Sequence, residues 1–396
     1  MSSAVLLTGA TGFLGRELLK TLIEELPTEQ PIYCLIRGHE KEASVTARPS
    51  DQARARLRKL LSDLGYDRLS DPKITRVSAI SGDISHQDLG TQPEDYATLT
   101  AQVGHIYHGA ATVRFDLPLP EARLINVVGT KHILDLAERI AASGQRIRLS
   151  YIGTSFVAGT RKGRVFENEL TVDQPFHNTY EQTKAEAEAL VRRAMTEKGL
   201  QATLFRPSII VGDSKTGETS SFKVMYWPLK VFSRGLIPIV PASRSGIVDM
   251  VPVDYVIAAI WELSRRSDTI GGCYHLAAGP DCSTTIGEAL DLAAAFFRVR
   301  KPLFVPIETF ERYVRPLFNF FFRGKRRQAL DAGRVYVPYL NYQASFDTQK
   351  TRQALAGTQI APSLVTRYFQ TLMQFCVDTD WGKRSASDSA SRRTSQ

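Results

Sequence analysis

Along the first half of the chain, apolar and polar residues fall into blocks that switch between two periods. Ala4-Val-Leu-Leu-Thr8 is a short apolar run suited to a buried strand. A glycine-rich turn follows, and then Phe13-Leu14, Leu18-Leu19 and Leu22-Ile23 recur at helical spacing. Pro31 to Ile36 predicts a second buried strand, ending at Arg37-Gly38. A polar insertion over about residues 39–73 carries one basic helix, Gln52 to Leu64. Ile74 to Ile80 predicts a third strand, which ends in Ser81-Gly-Asp83. Val103 to His108 predicts a fourth, after the turn-rich stretch Gly90 to Asp95. Asn126 to Ala141 reads as a helix, Ile147 to Ile152 as a fifth strand, Tyr180 to Lys198 as a helix and Ala202 to Phe205 as a strand. Strands alternating with helices over this length predict the α/β class: a Rossmann-like, doubly wound parallel sheet.

Beyond Gly212 the regularity fades, and Gly, Pro and aromatic residues become frequent. Met250 to Asp254 reads as a return to the core, followed by a helix from Tyr255 to Leu263 and a strand from Cys273 to Leu276. The expected organisation is a dinucleotide-binding domain over residues 1–275, with substrate-capping segments from about residue 213. A smaller, mostly helical substrate-binding region is expected over 276–381, and a Ser/Arg-rich disordered tail over 382–396.

Composition narrows the partners. With 396 residues, 43% hydrophobic and 23% charged, the chain is that of an ordinary globular protein. No apolar run approaches the roughly 20 residues of a membrane span, and no basic region precedes the first apolar stretch, so no export signal is expected. Four cysteines, Cys34, Cys273, Cys282 and Cys376, show no metal-ligand or redox spacing. The expectation is a cytoplasmic protein with free thiols and no metal centre. A formal charge of +9 suits phosphate-rich ligands, an acidic carrier, an anionic membrane surface or simply solvated surface. Nucleic acid is not expected, because no nucleic-acid-binding motif is present.

The candidate chemistry begins at Thr8-Gly9-Ala10-Thr11-Gly12-Phe13-Leu14-Gly15. Gly9 permits a tight turn, Gly12 lets the backbone approach a diphosphate, and Gly15 lets the helix pack close to the strand. Free N–H groups and the positive dipole end of the helix favour the anion. Thr8, Thr11, Phe13 and Leu14 belong to the same candidate cofactor site. No acidic residue closes the second strand to hold a ribose 2′-hydroxyl; Arg37 stands there, and Arg16 follows the third glycine. Two guanidiniums suit a 2′-phosphate, which points to NADPH. The alternative for Arg37 is a solvated strand end.

Tyr180-Glu-Gln-Thr-Lys184 stacks a phenol and an ammonium on one helix face. A neighbouring ammonium is expected to lower the phenol pKa from about 10, making Tyr180 a competent proton donor. Lys184 also suits the hydroxyls of the nicotinamide ribose. Thr154, after the fifth strand, offers a hydroxyl at the carboxyl edge of the sheet. Alone, a Tyr-x-x-x-Lys is most often a solvated helix face. Together with the glycine turn and Thr154, it is a candidate catalytic set.

Over roughly residues 4–280 the chain resembles the extended short-chain dehydrogenase/reductases, and more narrowly their thioester-reductase and fatty acyl-CoA reductase branch, with its male-sterility-type NAD-binding domain. The general landmarks are the glycine turn, Gly82-Asp83, Asn126-Val-Val-Gly-Thr130 and Tyr180-x-x-x-Lys184. The narrower signs are Ala53-Arg-Ala-Arg-Leu-Arg-Lys-Leu-Leu61, then Gly82-Asp-Ile84 with Asp88-Leu-Gly90 and Tyr96, His108-Gly-Ala-Ala-Thr-Val-Arg-Phe115, and Phe205-Arg-Pro-Ser-Ile-Ile-Val-Gly212. The resemblance implies that Asp83 contacts the adenine amino group, that Ala110 and Ala111 line the cofactor floor, and that Pro207 and Ser208 lie by the nicotinamide. Ile84 and Asn126 join the implied cofactor site. Gly153 stands where many relatives have Ser, while Thr154 keeps the catalytic register.

The implied activity is NADPH-dependent reduction of acyl thioesters, from coenzyme A or an acyl carrier protein, to aldehyde and on to alcohol. The acyl group would be activated elsewhere. Two other readings stand beside it: an extended dehydrogenase or epimerase acting on an alcohol or nucleotide sugar, and a non-catalytic dinucleotide-binding scaffold. Acyl length, donor, final product and oligomeric state stay open. Tyr313 to Arg327 passes abruptly from aromatic to basic residues, with Arg323, Lys325, Arg326 and Arg327 at its end. That order suits a peripheral membrane contact, an acyl tunnel beside a phosphate-binding rim, or a core helix with a solvated end.

Overall fold

Ala4 to Thr8 is buried along its whole length, as a strand covered by helices on both faces must be. The computed structural model describes residues 3–38, 48–68, 70–171, 173–222, 224–314 and 334–384. Its strands are β1 (Ala4–Thr8), β2 (Ile32–Ile36), β3 (Val77–Ser81), β4 (Val103–His108), β5 (Arg148–Ile152), β6 (Gly163–Val165), β7 (Gln201–Pro207) and β8 (Ile209–Val211). They continue with β9 (Ile239–Pro241), β10 (Ile247–Val248), β11 (Met250–Pro252), β12 (Cys273–Leu276), β13 (Thr284–Thr285), β14 (Leu303–Val305) and β15 (Ala344–Phe346). Seven of them form one sheet in the order β12-β7-β5-β4-β1-β2-β3, parallel throughout. The strand order reverses between β1 and β4, and ligands of such sheets bind in the crevice at that point.

The first helices are α1 (Phe13–Glu25), α2 (Pro49–Asp63), α3 (Pro72–Thr75), α4 (Pro93–Gln102), α5 (Leu119–Arg123), α6 (Gly129–Ala142) and α7 (Thr179–Lys198). Leu18, Leu19, Leu22 and Ile23 bury the inner stripe of α1, the face that the periodicity marks. The insertion helix α2 buries Ala53, Leu57, Leu60 and Leu61 in the same way.

Two elements differ from the expectation. Ile74 lies not in a strand but in α3, where Pro72 takes the first turn and the Asp71 side chain accepts from the Lys73 N–H, so β3 starts only at Val77. The stretch that reads as a turn contains the start of α4, with Pro93 in its first turn and Glu94 and Asp95 beside it to favour the positive dipole end.

After β12 the chain returns to the body of the fold outside the seven-stranded sheet. β15 pairs in parallel with β6, and the helix Phe369–Asp378 buries Phe369, Leu372, Met373 and Cys376 in a core shared with Tyr226, Leu229, Phe232 and Met250. Glu167 fastens this return. Its buried carboxylate accepts from the N–H groups of His275 at 2.9 Å, Lys350 at 2.7 Å and Thr351 at 3.1 Å. A buried carboxylate is tolerated when its lone pairs are satisfied in this way. Of the aromatic-basic stretch, Arg323, Lys325, Arg326 and Arg327 lie outside the described residues, as do residues 385–396 of the tail and residues 39–47 of the insertion. No helix among the described residues is long and apolar enough to cross a membrane.

Candidate active site

The glycine turn sits at the switch point. Gly9 has φ +81°, and a Cβ there would lie 2.8 Å from the Ala110 nitrogen, so the turn and the loop after β4 touch through backbone alone. At Gly15 a Cβ would lie 2.0 Å from the Gly9 carbonyl oxygen, which is why α1 can start so close to β1. Gly12 precedes the first residue of α1, Phe13; no side chain caps this end, and the first turn carries no acidic residue. Such a bare helix terminus suits the diphosphate of a dinucleotide.

Behind the turn runs a buried hydrogen-bond chain. Ala110 N–H donates to Thr8 Oγ1 at 3.2 Å, Thr8 Oγ1 lies 2.8 Å from His108 Nδ1, and His108 Nε2 lies 3.1 Å from Thr130 Oγ1. Thr130 in turn donates to the Asn126 carbonyl at 2.7 Å. Thr130 is thus the acceptor for His108 Nε2–H, and His108 Nδ1 is the acceptor for Thr8. Burial, with the charge of Lys184 adding to it, drives the His108 pKa down to about 3, so the ring is neutral. Thr8 therefore positions the floor loop containing Ala110 and Ala111.

Asn126 is committed to protein groups: it accepts from Thr112 N at 2.8 Å and donates to Thr112 O at 3.2 Å and Thr183 Oγ1 at 2.9 Å. It joins the floor loop to the catalytic helix α7 from behind. Ile84 is buried, and its carbonyl accepts from His132 at 2.8 Å. Asp83 stands half-buried after β3, with Oδ1 accepting from the N–H and hydroxyl of Ser85 at 2.9 and 2.8 Å.

At the end of β2, Arg37 is exposed. Its carbonyl accepts from Arg56 Nη1 at 2.8 Å, so the insertion helix brings a second guanidinium to this place. Arg56 is a candidate site residue that the sequence reading missed. The apolar stripe Ala53, Leu57, Leu60, Leu61 fixes which face of α2 turns inward, and Arg56 precedes a buried member of it. Arg16 departs from the expected clamp, because its Nη2 donates to the Asp63 carbonyl at 3.3 Å and its Nε lies 3.6 Å from Glu17. It ties α1 to the end of α2.

Thr154, Tyr180 and Lys184 meet at the carboxyl edge of β5. Thr154 is buried, its hydroxyl accepts from Phe156 N at 3.3 Å, and it stands close enough to the Tyr180 phenol to favour the phenolate. It also lies 3.5 Å from the carbonyl of Pro207, which together with the buried Ser208 closes the end of β7. Asn178 caps α7 by accepting from Glu181 N at 3.0 Å, and this presents Tyr180 in the first turn. The Lys184 ammonium donates to the Ile152 carbonyl at 2.9 Å and stands 4.6 Å from the ring centre of Tyr151.

One turn further along α7, Glu188 is paired with Arg206 of β7 at 2.6 Å, with both side chains wholly buried. Burial pushes the Glu188 carboxyl up, but Arg206 and Arg192 more than offset that and hold it below the usual carboxylate range. The pair fastens the catalytic helix to the sheet.

The acidities differ from the expected order. Burial raises the Tyr180 phenol to about 12; the Thr154 hydroxyl opposes this and the Glu181 charge adds to it. Burial lowers the Lys184 ammonium to about 8, partly offset by Glu188. Desolvation therefore governs the phenol, and Lys184 faces the Ile152 carbonyl and the Tyr151 ring. At neutral pH Tyr180 carries its proton, which is the state a proton donor needs.

The chain matches, over residues 7–260, the NAD-binding family described as male sterility protein. It belongs to that family. Its relatives extend the picture in two directions. A linear gramicidin synthase of Brevibacillus parabrevis is 31% identical over 279 residues, covering 69% of this chain and 5% of the synthase. Fatty acyl-CoA reductase wat of Drosophila melanogaster is 30% identical over 294 residues, covering 66% of this chain and 54% of the reductase. This male sterility family member thus spans about half of the reductase and a small part of the synthase. Among solved structures, the terminal R domain of the myxalamid PKS-NRPS pathway is 28% identical with a TM-score of 0.77, covering 95% of this chain and 91% of that one. The fold is therefore that of an oxidoreductase domain built for a nicotinamide dinucleotide, and the extended short-chain dehydrogenase/reductase branch read from the sequence is the right one.

Proposed function

We propose that this protein is an NADPH-dependent reductase of acyl thioesters, taking the acyl group from coenzyme A or an acyl carrier protein and releasing an aldehyde, which a second round converts to the alcohol. The observation that carries this reading is a proton-bearing Tyr180 close to Thr154 and beside a wall of aromatic rings, at the sheet edge of an NAD-binding family fold. The names of the relatives support the thioester as substrate. Arg37 and Arg56, with no carboxylate at the end of β2, support the 2′-phosphate of NADPH.

The bare terminus of α1 would hold the diphosphate, Asp83 the adenine, and Lys184 the ribose beside the nicotinamide. Ala110 and Ala111 would form the floor, with Pro207 and Ser208 at the nicotinamide end. When bound, NADPH supplies a hydride for the substrate carbonyl. Thr154 and Tyr180 bind the carbonyl oxygen and stabilise the negative charge that develops on it. Tyr180 then gives its proton to that oxygen, forming a hemithioacetal. Collapse of the hemithioacetal expels the thiol and leaves the aldehyde. With an aldehyde as substrate, a hydride supplied by a second NADPH and the same proton donation to the carbonyl oxygen would yield the alcohol.

The test is NADPH oxidation against a panel of acyl-CoAs and acyl carrier thioesters, with aldehyde, alcohol and free thiol measured. One thiol should appear for each thioester consumed. Absence of turnover with every thioester overturns the reading, and equal use of NADH overturns the choice of cofactor.

A further inference from the structure

Tyr180 has a second tyrosine close by, and the two hydroxyls are held differently. The Tyr180 phenol meets Thr154. Tyr339 donates to Glu181 Oε1 at 2.5 Å and accepts from Asn178 Nδ2 at 2.7 Å, so its proton and a lone pair are both engaged. Burial and the Glu181 carboxylate push its pKa far up. Tyr339 is thus no rival to Tyr180 as an acid. Its ring is what reaches the site: it stacks on Phe115 at 5.5 Å between centroids and meets Phe156 edge-on at 5.4 Å. Phe115 lies 5.7 Å from the Tyr180 ring. A continuous aromatic surface therefore runs from the proton donor to the C-terminal region. Phe115 and Tyr339 are only half-buried, so part of it is open.

Glu181 explains how this surface is held. Its side chain is fully buried, and its carboxylate accepts from His177 N at 2.9 Å and from the Tyr339 hydroxyl, with His177 Nδ1 3.0 Å away. Burying a carboxylate is costly without such donors. Asn178 already provides the cap of α7, so the Glu181 carboxylate is free to serve His177 and Tyr339, and the second of these ties the C-terminal region to α7.

We propose that Tyr339 is a specificity-determining residue: with Phe115, and backed by the buried Phe156, it forms the wall against which the acyl part of the thioester lies, and Glu181 is the positioning residue that locks it. This rests on the acyl-thioester reading above. An aromatic wall of fixed position discriminates between acyl chains by the contact each can make, and one methylene in such a pocket is worth roughly tenfold to two hundredfold.

The experiment compares wild type with Tyr339→Ala, Tyr339→Phe, Glu181→Gln and the Phe/Gln double variant. Short-, medium- and long-chain acyl-CoAs are read by kcat/KM and by calorimetric binding to the NADPH-loaded enzyme, with thermal melting and NADPH affinity as fold controls. Tyr339→Ala should change the ratio of kcat/KM between long and short chains by about tenfold or more, chiefly through KM. Tyr339→Phe keeps the ring and loses the lock, so its change should be smaller; Glu181→Gln leaves an uncharged acceptor for the hydroxyl and should change the ratio no more than Tyr339→Phe does. Because both act on one bond, the double variant should be no worse than Tyr339→Phe alone. If Tyr339→Ala keeps the wild-type ratios, the wall is wrong even though the enzyme reduces thioesters. If the two lock variants add fully, Glu181 does not act through Tyr339. A wild type that neither binds nor reduces any thioester overturns both this inference and the function beneath it.

Discussion

The glycine turn and the aromatic wall are assembled in opposite ways. Between Thr8 and Arg16, neighbouring residues set the geometry through backbone: a positive φ at Gly9 and a helix packed hard against a carbonyl at Gly15. The wall beside Tyr180 exists only when Phe115, Phe156, Glu181 and Tyr339 converge from four separate segments. Local backbone geometry leaves little freedom in what it binds, which suits an invariant cofactor. Side chains gathered from afar can be exchanged one at a time, which suits a substrate that differs between relatives. The same sheet thus carries a fixed end and an adjustable end, with Thr154, Tyr180 and Lys184 between them.

Changes at each place should separate along that line. The largest effect is expected between the two ends. Tyr180→Phe keeps the ring that meets Phe115 and removes the proton, so kcat should fall by about 10²–10⁴ while NADPH affinity holds. Stopped-flow or steady-state turnover with parallel NADPH titration checks it; near wild-type kcat would show that another group is the acid.

At the fixed end, Arg37→Asp removes one guanidinium and adds repulsion where Arg56 also lies. A hydrogen bond to a charged group is worth about 1.5–3 kcal/mol, so the KM for NADPH should rise roughly tenfold to a hundredfold, with the KM for NADH nearly unchanged. Equal changes for both cofactors would move the 2′-phosphate elsewhere.

The smallest effect is one of pH. Lys184 is lowered to about 8 by burial, so its ammonium is present below that pH and lost above it. If the cation is needed to hold the ribose, kcat/KM should fall about tenfold per unit as pH rises past 8, with Tyr180 still protonated there. Lys184→Met should be slow at every pH and lack this inflection. A profile of wild type that is flat through that range would detach Lys184 from catalysis.

How much of this is legible in the sequence follows from the same contrast. The run Ala4 to Leu7 announces a strand because burial on both faces demands uninterrupted apolar residues. Thr154, Tyr180 and Lys184 are legible because two of them share one helix face and the third ends a strand, and the structure does bring the three together. The acidity order is not: spacing shows that an ammonium is near a phenol, but not that burial outweighs it or that Ile152 and Tyr151 claim the ammonium. The place of Arg56 is not legible for a similar reason, since the docking angle of α2 decides which of its guanidiniums reaches the end of β2. Pro93 is legible in principle, because a proline followed by two acids marks a helix start as well as a turn.

The bond between Glu181 and Tyr339 spans 158 positions of sequence. At roughly 5–20 residues per second of synthesis, the catalytic helix leaves the ribosome about 10–30 s before its partner exists. During that interval a growing chain holds the glycine turn, β1 to β5 and the catalytic helix, while the wall is still missing. Dinucleotide met at this stage would stabilise the half-built sheet by mass action. The order of translation therefore completes the glycine turn before the aromatic wall can form.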